Sequence, residues 1–564
     1  MNRQVKARPI IAMIGDELSA FQRPIVACVN QCLGKAGFGL LYVCGGPLKP
    51  TADWDDNVPV ARNAIYTLTR EYPVDGYIVF TDSIGSHATI DSLACFVRHY
   101  THRPVVCYGP GPDEVACVQL DNYSSMVSMM EHMTSDPQRR RFVFLRGYPD
   151  SPSSSDRERA FRDILTSRGI PVDESLLLNG NYQPVDAFDA MDALLESTHD
   201  IDAVVAANDD MAQSAIHALL KHGLQIPQQV IVSGFDDSAA ADRSIPSLTT
   251  VHYSQETMAR QVVETLLMQI EATDVDVPSR RVVTVPAKIV IRASTEKQFL
   301  PSTLETEHIS AFDAANFRAT VLKNLQVLKT PRGLKAREVV DDIVSMLVNG
   351  TRYSGSRLES ALRRLHDRPD DVYWWRHLHQ QITTNLQRCS SEGQSPDALA
   401  LTASILGQIH QTTWKVENAL SVEDARYVQG ILQFRARLAQ VNSIADLLAL
   451  LKVINEQFPV KASFLCLYET AGECPDKSTR LLARWPEDCV DHDLQTSFPS
   501  TEVLPDNYLH SEFPGPLVLQ PMCSGTTQLG YTVHDLSDER YPGKLNTTAL
   551  ADSLAITLWR LMSA

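Results

Sequence analysis

The sequence predicts an α/β fold for the first half of the chain, then an all-α stretch, then a small α+β domain. Three observations predict it. Up to about residue 295, short apolar runs of β-branched and aromatic residues alternate with helical patterns. After "IRAST" (residues 291–295) the alternation stops, and only helical periodicities follow to about residue 419. From Ser443 a helix, several strand-like runs and a closing helix return. At 564 residues the chain exceeds what one core supports, so three or four domains of ordinary size are expected.

In the first half the runs are "PIIAMIG", "FGLLYVCG", "VDGYIVFTD", "PVVCYG", "RFVFLRG", "AVVAAND" and "QVIVSGFDD", stopped by Gly, Asp or Asn. Unbroken rather than alternating apolar residues suit strands covered on both faces, as in a parallel sheet flanked by helices. Between the last two runs, "DDMAQSAIHALLKHGLQIP" puts Met211, Ala215, Ala218 and Leu219 on one helix face; Gly223 ends the helix and Pro227 precedes the next strand. In open α/β sheets a ligand sits beyond the carboxyl ends of the strands, so the residue after each run is the informative one. Those positions hold Asp16, Thr81 with Asp82, Asn208 with Asp209, and Asp236 with Asp237, a polar rim around one crevice. Asp and Asn also cap helix N-termini, which accounts for part of the set.

The segments "VDGYIVF", "DRERAF", "AANDDMAQSAIHALLKHGLQIPQQVIVSGFDDS", "IPSLTTV" and "AKIVIRAST" follow one another in a fixed order and spacing. On these residues the stretch from Pro9 to Thr295 resembles the effector-binding domain of LacI/GalR-type repressors, a two-lobed fold shared with periplasmic sugar-binding proteins (type I). The resemblance implies two lobes joined by three crossovers, with the effector clamped between them. It implies that Arg157, in "RERAF", is the arginine that grips the effector, that Asn208 and Asp236 hydrogen-bond the ligand, and that Asp121 reaches it from the opposite lobe. With Asp16, Asp82 and His252 these make the expected ligand-binding set. A planar guanidinium fork suits two neighbouring hydroxyls or a carboxylate. Ala160 in place of a glycine, Ser247 in place of a second proline and His252 where a glutamine is common depart from the family pattern. The expected ligand class is a carbohydrate or a similar polar metabolite.

Family repressors carry a helix-turn-helix before this domain. Only "MNRQVKAR" precedes the first strand here, too little for that motif, so direct DNA binding is not expected. Residues 1–297 form the expected ligand-binding domain and 298–425 a helical bundle or linker. There "KAREVVDDIVSMLVNG" is apolar at Val339, Val340, Ile343 and Leu347, and Val372, Trp375, Leu378 and Ile382 make a second stripe. Residues 426–442 read as a coiled-coil-like signalling helix, because Tyr427, Ile431, Phe434, Leu438 and Val441 are spaced 4, 3, 4, 3. Such a seam suits pairing with a second copy or packing against its own chain. Residues 443–564 match a GAF-type α+β domain in element order only.

Lys and Arg total 51 against 68 Asp and Glu, a net charge of −17 that disfavours phosphate backbones. The eleven cysteines lack metal-ligand spacing, no apolar run reaches membrane-helix length, and the N-terminal apolar run is too short for a secretory leader. A cytoplasmic protein without cofactor or metal is expected. No Walker, H-E-x-x-H, G-x-S-x-G or GGDEF motif is present, so an enzyme is not expected either. The leading expectation is a ligand sensor acting as a homodimer and relaying lobe closure to a C-terminal or partner output. The alternatives are a LacI-like DNA-binding transcription regulator and the sensor part of a longer diguanylate cyclase continuing past Ala564.

Overall fold

The computed structural model describes residues 8–19, 21–48, 61–238, 241–242, 244–272, 281–296, 318–322, 336–349, 375, 378, 433–457, 462–485, 497–505, 515–536 and 547–563. The chain forms two compact units, one made of Met1–Gln298 with Ile431–Ala564, the other of Phe299–Gly430.

In the first lobe of the larger unit, β1 (Ile10–Gly15), β2 (Gly39–Cys44), β3 (Gly76–Val79), β4 (Val105–Tyr108) and β5 (Ala116–Leu120) pair in parallel in the order β2-β1-β3-β4-β5. The apolar runs bury both faces, as an unbroken pattern requires: Ile11 and Met13 enter one core, Ala12 and Ile14 the other. The second lobe is a four-stranded parallel sheet of β6 (Phe142–Arg146), β7 (Leu177–Asn179), β8 (Ala203–Ala206) and β9 (Ile231–Ser233), ordered β7-β6-β8-β9. After β8 the helix Asp209–Lys221 buries Met211, Ala215, Ala218 and Leu219, the face its periodicity predicts. β10 (Thr250–His252) pairs with β12 (Lys288–Val290), and β11 (Val282–Val285) returns to the first sheet beside β5.

The C-terminal elements fall where the sequence places them. The helix Ile444–Gln457 leads into β13 (Ala462–Gly472), β14 (Ser478–Trp485), β15 (Ser497–Pro499), β16 (Leu517–Ser524) and β17 (Thr527–Asp535), and the helix Thr547–Ser563 closes the described chain. These strands do not make a separate sheet. β16 pairs in parallel with β2, Leu517 opposite Leu41, Val518 opposite Tyr42 and Leu519 opposite Val43. One sheet of eleven strands results, ordered β11-β5-β4-β3-β1-β2-β16-β17-β13-β14-β15. Its second core is shared, with Ile14, Leu41 and Val43 beside Phe464, Leu519 and Tyr531. Gln528 donates to the Ala61 carbonyl at 2.6 Å and Arg62 pairs with Asp552 at 2.5 Å, tying the same junction from its rim.

In the smaller unit the helix Ala336–Asn349 buries Val339, Val340 and Ile343, and Trp375 and Leu378 are buried as well. Val372, Ile382 and the side chain of Leu347 lie outside the described residues. So do Tyr427 and Ile431 of the a/d seam. Phe434, Leu438 and Val441 are covered by their own chain, each at most 4% exposed. The Arg560 guanidinium donates to the carbonyls of Leu438, Ala439 and Val441 at 3.1, 2.6 and 2.5 Å, holding the closing helix over that turn. Among the described residues no helix is long and apolar enough to cross a membrane.

Candidate functional site in the interlobe cleft

The carboxyl ends of β1 and β3, neighbours in the first sheet, deliver Asp16 and Asp82 to one edge of the cleft. Asp16 accepts from the Ser83 hydroxyl, from Gln22 Nε2 at 3.2 Å and from the Glu17 amide at 2.8 Å. From the second lobe, the helix Pro152–Ser167 after β6 brings Ser153 and Arg157. Ser153 donates to Asp82 Oδ1 at 2.8 Å, a hydrogen bond that crosses between the lobes. Asn122 donates to Ser153 Oγ at 3.2 Å and accepts from Arg157 Nε and Nη2 at 2.9 and 2.8 Å. Arg157 Nη1 donates to the Ala207 carbonyl, and its guanidinium lies 3.6 Å above the Phe235 ring centre. Asn122, Ser153 and Arg157 are all buried, so this relay from Asp82 to Arg157 is shielded from water, where each bond counts for more.

Asp236 follows β9. Its φ of 107° is rare for a residue with a Cβ, a strained backbone of the kind that concentrates at functional sites. Burial pushes its carboxyl up to about 7; Arg157 opposes the shift, while Asp210 and Asp82 add to it. Burial also raises Asp16 and Asp82, the latter tempered by Ser153 and Arg157. Two carboxyl groups drawn from water beside one guanidinium, with Asp16 at the neighbouring strand end, are hydrogen-bonding capacity held ready for a polar guest.

Aromatic rings supply the apolar surface. His87 of the first lobe and Tyr148 of the second meet with ring centres 3.6 Å apart, and Tyr182 stands edge-on to Tyr148 at 5.9 Å. Burial holds the His87 imidazole down to about 4, so it is neutral near pH 7. Gly147 makes room for Tyr182, because a Cβ there would come within 2.2 Å of its ring. Tyr253, buried, closes the floor near Asp236 and Arg157. Aromatic faces with a few convergent polar groups are the usual make-up of a small-molecule site.

The structure brings Asp16, Asp82, Arg157 and Asp236 of the expected set together. Two others act as helix caps. Asp121 accepts from the Ser124 amide at 2.9 Å, and Asn208 accepts from the Met211 amide at 3.0 Å. Asn208 still stands at the cleft end of β8, beside the β9 end that carries Asp236. His252 donates to Asp237 Oδ2 at 2.8 Å, and Arg292 donates to Asp237 Oδ1 at 2.6 Å. Burial would raise Asp237, but these partners outweigh it and hold the carboxyl below its ordinary range. His252 therefore belongs to an ion-pair cluster beside β10. Sequence reasoning missed Asn122, Ser153 and the rings of His87, Tyr148, Tyr182 and Tyr253. The signal for Asn122 was its position next to the flagged Asp121.

Residues 134–295 match the family model of a periplasmic binding protein-like domain. The HTH-type transcriptional regulator AscG of Escherichia coli (strain K12) is 35% identical over 139 residues, 25% of this chain and 41% of the relative. The HTH-type transcriptional regulator CelR of Thermobifida fusca is 30% identical over 171 residues, 30% of this chain and 49% of the relative. The HTH-type transcriptional repressor PurR of Haemophilus influenzae (strain PittEE) is 26% identical over 223 residues, 40% of this chain and 65% of the relative. The chain thus spans less than two thirds of the length of these curated relatives. Residues 134–295 thus carry a mixed α/β, periplasmic-binding-protein-like domain, shared with these HTH-type regulators. All three relatives are transcription regulators by name. The expectation that direct DNA binding is unlikely finds no support in them, since all three are HTH-type by name.

Proposed function

We propose that this chain is a regulatory sensor that binds a small polar metabolite of carbohydrate type between its lobes and passes lobe movement through the first-lobe sheet to its C-terminal strands. The observation that carries the reading is the relay from Asp82 through Ser153 and Asn122 to Arg157, which ties the two lobes at the point where rings and carboxylates converge. A guest that replaces the Ser153–Asp82 bond with its own hydroxyls would hold the lobes differently. It biases the two states only by the difference in its affinity for them. Asp16, Asp82, Arg157, Asn208 and Asp236 are the proposed ligand contacts, with Asp121 and His252 as positioning residues. The β16–β2 pairing gives the movement a rigid path into residues 443–564, read here as a GAF-like relay in a homodimeric cytoplasmic protein.

The relatives AscG, CelR and PurR favour transcription as the regulated process, so a LacI-type DNA-binding regulator is the second reading. A diguanylate cyclase as the downstream output has only the order of the segments behind it.

The test is ligand-dependent thermal stabilisation of the full chain against a panel of sugars. A ligand at a hundred times its Kd stabilises by about 2.7 kcal/mol. Arg157→Ala should abolish that shift and Ser153→Ala should reduce it while the protein stays folded. An unchanged shift in both variants would sink the assignment of the cleft. Salt-sensitive binding of the chain to its own promoter DNA would move the second reading ahead of the first.

A further inference from the structure

The charges that meet in the cleft are unequal. Asp16, Asp82 and Asp236 stand at the carboxyl ends of β1, β3 and β9, with Asp210 near the last. Among the described residues, the one cation that acts on Asp236, Tyr182 and Tyr253 is Arg157. That guanidinium is largely committed. Three of its five N–H groups already serve Asn122 and Ala207, and one face is stacked on Phe235, so an edge with two donors remains. Of the other cations near these groups, Arg292 is paired with Asp237, Arg146 with Glu158 and Arg62, which acts on Glu17 beside Asp16, with Asp552.

Helix N-termini, the other usual seat for an anion, are also taken. The helix Pro152–Ser167 is capped by Ser151, whose hydroxyl accepts from the Ser154 amide at 3.3 Å. The helix Asp209–Lys221 is capped by Asn208 and carries Asp209 and Asp210 in its first turn, so its positive end already faces carboxylates. Asp209 is 1% exposed and bound to Thr250 Oγ1 and the Ser238 amide, both at 2.6 Å, and cannot move aside.

We infer that the cleft selects a polyhydroxyl ligand without negative charge, accepts an amino group in place of a hydroxyl at Asp236, and excludes phosphorylated or carboxylated analogues. The inference rests on the reading of the cleft as the ligand site and adds the charge of the ligand. Above pH about 7, where Asp236 is ionised, a hydroxyl donates to its carboxylate and an ammonium donates with charge; a phosphate or carboxylate placed beside Asp82 and Asp236 then meets like charge, with only the Arg157 edge to offset it. Asp236, whose carboxyl has no hydrogen-bond partner among the described residues, is the specificity-determining group.

The experiment uses the full chain and calorimetry at pH 7.5, above the about 7 at which Asp236 gives up its proton, with glucose and cellobiose as neutral probes, glucosamine and its β-1,4 disaccharide as cationic ones, and glucuronate and glucose 6-phosphate as anionic ones. The expected result is that the tightest binder is neutral or cationic and that its anionic counterpart is weaker by about 100-fold or more, the effect of one uncompensated like charge at short range. Asp236→Asn should then admit the anionic probe at least about tenfold better while weakening the amino sugar. Binding of glucuronate or glucose 6-phosphate as tightly as the neutral sugar overturns the charge selection and leaves the sensor reading intact. An Asp236→Asn protein that keeps the original discrimination overturns the role of Asp236. Silence from all six probes counts against the sensor reading itself, and this inference falls with it.

Discussion

The two lobes carry parallel sheets of the same kind but treat their edges differently. Among the described residues the second-lobe sheet has four strands; its outer strands β7 and β9 are only three residues long, and β9 is bridged on its far side by Thr249. Short edges offer little for another chain to pair with. In the first lobe β2 is six residues long with five of them buried, and left open it would be a ready template for aggregation. The chain covers that edge with its own β16 and runs the sheet on to eleven strands. The comparison teaches that strands β13 to β17 belong to the first lobe physically, although more than 400 residues separate β2 from β16. The cleft lies between a lobe whose sheet is extended in this way and one whose sheet is not.

The comparison breaks most readily at the junction. Leu519→Asp places an unpaired carboxylate where Leu519 is fully buried in the shared core, and should cost at least about 3 kcal/mol. Urea denaturation followed by hydrogen exchange should show first-lobe strands losing protection together with β13 and β17 while β6 and β8 keep theirs. If only the C-terminal strands melt, the two regions are separable. Arg157→Ala, in the second lobe, leaves Asn122 Oδ1 and the Ala207 carbonyl without their buried donor and should cost about 2 kcal/mol, read as a lower urea midpoint.

A pH series sharpens the contrast further. The folded Asp236, with its carboxyl pushed up to about 7, keeps a proton that the unfolded chain has already released. Stability should therefore fall as pH rises from the ordinary carboxylate range to about 7 and level off above it. Asp209, Asp82 and Asp16, raised in the same direction, add to the slope, and Arg157, Tyr182 and Tyr253 face the group from the neighbouring elements. Asp236→Asn should make the slope shallower; an unaltered slope in urea midpoints contradicts the assignment. Ser153→Ala removes the lobe-crossing bond to Asp82 and should cost about 1 kcal/mol, with a looser cleft visible as a larger radius of gyration in solution scattering. Arg62→Ala breaks the partly buried pair with Asp552 and should lower stability by about 1 kcal/mol or less, read as a small drop in the urea midpoint.

Much of this was legible in the sequence where burial alone decides. The unbroken apolar runs became parallel strands, and the face of Met211, Ala215, Ala218 and Leu219 became core, because one-dimensional patterns record which side chains leave water. Strand-end carboxylates pointed to the cleft for the same topological reason, which is why Asp16, Asp82 and Asp236 converge. Capping and ligand contact use the same residue types, so the sequence could not separate Asp121, a cap, from Asn122, which holds Arg157. The pairing of β16 with β2 left no mark at all. An apolar run says that a strand is buried, and backbone groups, identical in every residue, decide which edge it joins.

The most direct test of the account is hydrogen exchange across a urea series on the unaltered full chain, following peptides that contain Leu41–Val43 of β2 and Leu517–Leu519 of β16. One sheet predicts that both peptides lose protection at the same urea concentration, as a single cooperative unit. Loss at β16 well before β2 would contradict it, and would mean that the C-terminal strands are a detachable domain instead of the brace of the first lobe.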